Sequence, residues 1–446
     1  MKRALGVGRA WAAAHRIALL KALFASAVAF RIAYVFHSNP LGHRYSDAMR
    51  HWHNGVAFFT PDVMGSVDPL LYQVWVYGLH RMAGENPTAI ALATGALSAL
   101  MPWCWYRGLR ELMPHPPALA GGILIALMPS TLGIYSYFVN ETLLLTLEGL
   151  AVWLSFRAYR KQTVSAWALA GLAWALACYT RSIAMPLAAG MLGTGWLMMR
   201  ASWPARAASL AAAAAPFFLL APASCWHSEL KLHYCAAFGN DSVAPLYHMA
   251  HTKGIVLNFP GEGGWGFTSP AVFTSPLAPF YDWHSPRLSQ GDFYFTIDTK
   301  QGRKDWERAL QQARLHPFPL REEIAENLLY LVFERSWPDD DTDYAVNRLS
   351  IWLRFLWCPL WLYAAWGALT RKLSWRERLL PLLCVGMLVL LAFQESGVME
   401  GRYRKPLEPL LLASAVVLAR RRSAARQRAA YSPSAVTRLR PVCLDL

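Results

Sequence analysis

The run His43-Arg44-Tyr45-Ser46-Asp47-Ala48-Met49-Arg50-His51-Trp52 sets a single acid among bases and aromatics, just past an apolar segment. A carboxylate there can take a proton from a hydroxyl; it can equally do no more than pair with Arg44 or Arg50. Glu141 follows Asn140 and opens the apolar run Leu143-Leu144-Leu145, where an acid complements a helix N-terminus. Arg181 closes another apolar segment, after Ala177-Cys178-Tyr179-Thr180, and reads equally as a side chain snorkelling to the interface, as does Arg31. The densest stretch is Glu395-Ser396-Gly397-Val398-Met399-Glu400-Gly401-Arg402-Tyr403-Arg404-Lys405-Pro406. Guanidinium groups bind phosphate through paired hydrogen bonds, so Arg402 and Arg404, with Lys405, are candidates for holding a phosphate. The alternative is internal pairing with Glu395, Glu400 and Glu408. Tyr45 and Tyr403 within these stretches, and Asp68 and Tyr72 in the separate run Asp68-Pro69-Leu70-Leu71-Tyr72, are candidates for substrate contacts.

These residues need a scaffold, and the composition says what kind. Of 446 residues, 55% are hydrophobic and 16% charged, with 20 Trp, and the apolar residues come in blocks of membrane-spanning length. The expected fold is an all-α polytopic membrane protein. Apolar segments are expected at about 21–37, 87–106, 117–137, 142–156, 165–180, 184–199, 207–222, 349–369, 379–393 and 406–418. The net charge of +15 fits basic loops on the cytoplasmic side better than nucleic-acid binding. The N-terminal run lacks a small-x-small cleavage site and reads as a retained first helix. No P-loop and no G-x-G-x-x-G occurs, so nothing suggests a bound nucleotide.

Ten crossings from a cytoplasmic N-terminus put the basic loops at 107–110, 157–161, 200–206, 371–378 and 420–428 inside, with both termini. Asp47, Asn140-Glu141, Arg181 and 394–405 then share the outer face. The expected organisation is a membrane module over 1–222, whose outer loop 39–86 opens its second half with an amphipathic helix after Asp68-Pro69-Leu70-Leu71-Tyr72. An outer domain over 223–348 follows, then membrane helices over 349–420 and a basic tail over 421–446. Within 223–348, Asn258 to Trp265 suits a sugar or lipid contact, or is an ordinary exposed loop; Trp306 to Phe333 is expected to be helical. Asp339-Asp340-Asp341-Thr342-Asp343 reads as a solvated acidic loop. Cys225 and Cys235 are the cysteines of the outer region, ten residues apart, and could close a disulfide on an oxidising face.

The chain resembles the GT-C superfamily of membrane glycosyltransferases, of the type of glycosyltransferase family 39, which includes protein O-mannosyltransferases and aminoarabinose transferases. The likeness rests on Ser46-Asp47 in the first outer loop, Asp68-Pro69-Leu70-Leu71-Tyr72, Gly84-Glu85-Asn86-Pro87, Asn140-Glu141, Gly171 to Arg181, and Arg402-Tyr403-Arg404-Lys405-Pro406-Leu407-Glu408-Pro409. It implies a GT-C-like bundle with a small mixed α/β or irregular outer domain. It implies a polyprenyl-phosphate-linked sugar as donor and a glycan, lipid or protein as acceptor, with no nucleic acid. It implies that Asp47 is the catalytic general base, that Glu141 helps bind acceptor or metal, and that Arg402, Arg404 and Arg181 stabilise the leaving phosphate, with inversion at the anomeric carbon. The protein would sit in a bacterial inner membrane with its active site periplasmic. Some members have Asp-Glu adjacent in the first loop; here Ala48 follows Asp47, so no cofactor is certain and a divalent cation on Asp47 and Glu141 is left open. A polysaccharide polymerase or ligase is a neighbouring reading. A flippase or transporter is a different one, and would favour charges at the bilayer midplane and inverted repeats.

Overall fold

The structure is a computed structural model that describes residues 2–43, 46–60, 68–232, 235, 255–259, 263–267, 294–296, 320–333, 345–370, 373–393 and 401–430. Its helices are α1 (Lys2–His37), α2 (Ser46–Val56), α3 (Leu70–Ala83), α4 (Pro87–Leu112), α5 (His115–Leu127), α6 (Pro129–Gly133), α7 (Asn140–Lys161), α8 (Val164–Thr180), α9 (Ala184–Leu197) and α10 (Trp203–Leu232). After a three-stranded sheet come α11 (Leu320–Phe333), α12 (Ala345–Leu353), α13 (Trp357–Leu369), α14 (Trp375–Ala392) and α15 (Glu408–Ala430), the last preceded by a 3-10 turn, Gly401–Leu407.

The sequence marks the helix ends locally. Asn86 caps α4 by accepting the Ala89 N–H at 3.0 Å, with Pro87 as the first helical residue. Gly84 ends α3 at φ +58°, a conformation glycine reaches without strain. Ser374 and Glu377 cap α14 reciprocally. The apolar faces then assemble: α4 packs on α1 and α7, α7 on α8, and α8 on α10. The α8–α10 approach needs Gly171, where any Cβ would run into the Ala213 carbonyl. Helices α13, α14 and α15 pack on one another, and α15 reaches α5.

The protein is a helical membrane protein. Among the described residues, three helices are long and apolar enough to cross a bilayer by length and composition: His15–Gly42, Pro87–Leu112 and Trp203–Lys231; the bent pair His115–Leu127 and Pro129–Ser136 would make four. That bend corrects the expectation of one continuous segment over 117–137. Pro129 has no N–H to donate, and Met128 before it is extended, so the chain turns by 62°. Arg31 corrects a second expectation. It does not snorkel outward but is fully buried, donating to the carbonyls of Ser98 (2.8 Å), Ala126 (2.9 Å) and Thr131 (2.6 Å).

Between α1 and α4, α2 is a helix where only scattered apolar residues were evident, and it packs against α3. Strands β1 (Ile255–Phe259) and β2 (Gly263–Phe267) pair antiparallel across the turn-rich 258–265 stretch, and β3 (Tyr294–Thr296) joins β1 in parallel. The expected helix beginning at Trp306 is described only as α11; 301–319, the acidic run 339–343 and the tail 431–446 lie outside the described residues. Cys225 and Cys235 form a disulfide.

Candidate active site

Helix α2 presents Asp47 and Arg50 one turn apart. Arg50 Nη1 lies 3.0 Å from Asp47 Oδ1, and both side chains are partly exposed, 26% for Arg50 and 21% for Asp47. The same guanidinium reaches across to Asp68, just ahead of α3, with Nε and Nη2 each 3.2 Å from Oδ1. Asp68 is buried. It also takes the Asn54 amide at 3.0 Å, and His51 Nδ1 lies 3.0 Å from its Oδ1. Burial alone would push the Asp68 carboxyl up; Arg50, His51 and Asn54 around it more than offset this and hold it at about 2.

Tyr72, on the first turn of α3, links this network to the next element. Its ring meets His51 edge-on at 5.2 Å, and its hydroxyl shares a hydrogen bond with Thr142 on α7. Burial pushes that hydroxyl's pKa well up, so it stays a donor. Trp52 of α2 packs on Phe138 at 4.6 Å, and His43 on Tyr137 at 5.0 Å, which seats α2 and His43 on the approach to α7.

Glu141 stands in the first turn of α7, fully buried, and pairs with Arg181 at the end of α8. Arg181 also donates to Asn140 Oδ1 at 3.4 Å, lies 5.2 Å over the Tyr403 ring, and keeps 12% of its side chain exposed. The structure therefore brings Asp47, Asp68, Tyr72, Glu141, Arg181 and Tyr403 into one chain of contacts at one end of the bundle. Tyr45 lies outside the described residues, as do 394–400, and the side chain of Arg402 is not among those described.

Arg404 and Lys405 take a different place from the one expected. Both are buried. Arg404 pairs with Glu408 at 3.0 Å and donates to the Leu331 carbonyl at 3.1 Å; Lys405 donates to the Ser130 carbonyl at 3.0 Å. Ser130 in turn donates to Glu408. These cations tie the last helix to α6 and α11, so the internal pairing weighed against phosphate binding is the one that forms.

A cation held by Asp47 and Glu141 does not fit this donor set. Each carboxylate already faces a guanidinium, and no three His, Cys, Asp or Glu side chains converge suitably among the described residues.

Sequence reasoning missed Arg50, His51 and Asn54 as a group. Their offsets place them on one face of a helix, a signal that was present but read as loop. It also missed Glu148 on α7, seven residues beyond Glu141, fully buried and with no hydrogen-bond partner for its carboxyl oxygens among the described residues.

Fold and site together define a helical membrane protein with the carboxylate–guanidinium pairs Asp47–Arg50 and Glu141–Arg181 at one end of its bundle. Residues 68–226 match the family described as dolichyl-phosphate-mannose-protein mannosyltransferase. Over that stretch the chain is similar to a family of GT-C type membrane glycosyltransferases. No curated protein matches the chain.

Proposed function

We propose that the protein moves a sugar from a polyprenyl-phosphate donor to an acceptor hydroxyl at the outer face of a bacterial inner membrane, with inversion at the anomeric carbon. One observation carries this reading: the partly exposed Asp47 stands at the same end of the bundle as the Glu141–Arg181 pair, joined to it through Tyr72 and Thr142. Asp47 is the base for the acceptor hydroxyl. Arg181, whose side chain keeps some exposure, is the candidate to face the departing phosphate, and Arg402, next to Tyr403 in the chain, is its candidate partner. Glu141 orients Arg181. Ten crossings, with 223–348 outside and both termini inside, follow from the distribution of basic loops.

Purified full-length protein is given a panel of radiolabelled undecaprenyl-phosphate sugars, and release of free undecaprenyl phosphate is scored. Turnover with one of them is expected, and Asp47→Asn should lose about 10²–10⁴-fold in rate while still binding undecaprenyl phosphate. Retention of more than about a tenth of the wild-type rate sinks the assignment of Asp47.

A transport reading is favoured by Glu148, an acid deep in α7. Under that reading Glu148→Gln stops movement of the lipid-linked sugar across vesicles, Asp47→Asn does not, and no sugar is released.

A further inference from the structure

We infer that Asp68 is a positioning residue: through Arg50 it holds the Asp47 carboxylate in the direction that proton transfer requires. This rests on the reading of Asp47 as general base and deepens it.

The geometry is that of one guanidinium shared by two carboxylates. Nη1 of Arg50 holds Asp47 at 3.0 Å, while Nε and Nη2 hold Asp68, each at 3.2 Å. Arginine's planar fork fixes the angle between its partners in a way that a lysine ammonium does not. Asp68 cannot turn to follow. Its side chain is 3% exposed, the Asn54 amide and the His51 ring each lie 3.0 Å from it, and the Gln73 amide donates to its backbone carbonyl at 3.3 Å. Residues 50, 51 and 54 come from one face of α2, so a single buried carboxylate also fastens an 11-residue helix too short to persist alone. The foundation goes deeper. Gln73 meets His227 of α10 at 2.9 Å, and Lys231 of α10 donates to the carbonyls of Asn54 (3.5 Å) and Ala57 (2.6 Å). Asp47 and Arg50 thus stand at the exposed end of a line whose further members, Asp68, Gln73, His227 and Lys231, are buried. A substrate contact by Asp68 would require its burial to be undone.

A base misdirected by about 1 Å can lose about 10²-fold in rate with binding intact. Asp68→Asn should therefore lower kcat about 10- to 100-fold, measured with the donor that turns over in the panel, and leave the Kd for undecaprenyl phosphate unchanged. The decisive measurement is a double-mutant cycle on kcat. If Asp68 acts through Asp47, adding Asp68→Asn to Asp47→Asn costs nothing further, because residues that act as a unit are not additive. If it touches substrate or serves the fold alone, the two losses multiply. Arg50→Lys, which keeps the charge and loses the fork, should show the same kcat-only loss and the same non-additivity; it carries the test if Asp68→Asn does not fold. Multiplying losses, or a full rate in Asp68→Asn, overturn this inference alone. A full rate in Asp47→Asn overturns the general-base reading and the inference with it.

Discussion

Arg181 at the end of α8 and Glu141 at the start of α7 close the open end of a helical hairpin with an ion pair that is buried on the Glu141 side. Removing the cation strands a buried charge. Arg181→Ala should destabilise the protein by about 3–5 kcal/mol, and Glu141→Gln in that background should restore most of the loss. Thermal unfolding in detergent of the two single variants and the double variant measures the coupling; additive losses would show that the pair is not one unit.

Arg404 offers a second prediction, opposite to what its basic neighbourhood suggests. Since it is engaged by Glu408 and the Leu331 carbonyl, Arg404→Ala should lower the unfolding temperature. In whatever fraction folds, affinity for undecaprenyl phosphate should stay unchanged. A weakened affinity at unchanged stability would return Arg404 to the donor site.

Acid should act on Asp68. Its carboxyl falls from 3.8 to about 2 on folding, so the stability it lends is complete above about pH 4 and is lost as pH drops through about 2. The difference in unfolding temperature between wild type and Asp68→Asn should be constant above pH 4 and shrink below it. A difference that stays level down to pH 2 refutes the linkage.

The Cys225–Cys235 disulfide closes a ten-residue separation at the end of α10, beside His227 and Lys231. Closing a loop of this size should stabilise by about 2–3 kcal/mol. Reduction, or Cys225→Ser with Cys235→Ser, should lower the unfolding temperature. Alkylation of both cysteines in denatured, unreduced protein would mean that the bridge is absent in solution.

Much of the scaffold was legible because membrane helices announce themselves by composition. The segment expected at 165–180 is α8 at Val164–Thr180, and the one expected from 87 starts at Pro87, though it runs on to Leu112. Asp47, Glu141 and Arg181 were legible as candidates from where apolar runs stop. The Asp47–Arg50 pair was among the readings of the sequence; the reach of Arg50 to Asp68 and the Glu141–Arg181 pair were not, because no local pattern sets contacts between residues so far apart in the chain. The place of Arg404 depends on a carbonyl 73 residues away. Helix α2 was missed because its buried side chains are partly polar, His51 and Asn54 among them, so its amphipathic face does not look apolar. Glu148 was hidden by its surroundings, one acid in a run otherwise apolar enough to pass as membrane core.

The break between α5 and α6 has a consequence for how the chain is made. Arg31 completes that break, taking the carbonyls of Ala126 and Thr131 on either side of it. During synthesis it precedes Thr131 by 100 residues. The first helix therefore carries a charge that waits for its partners, with Ser98 arriving on the way. A nascent chain halted between α4 and α6 holds that charge only half satisfied, and should be the form that insertion machinery and quality-control proteases retain longest. Biogenesis of this protein is thus committed in its first helix and completed only when the bent segment folds back onto it.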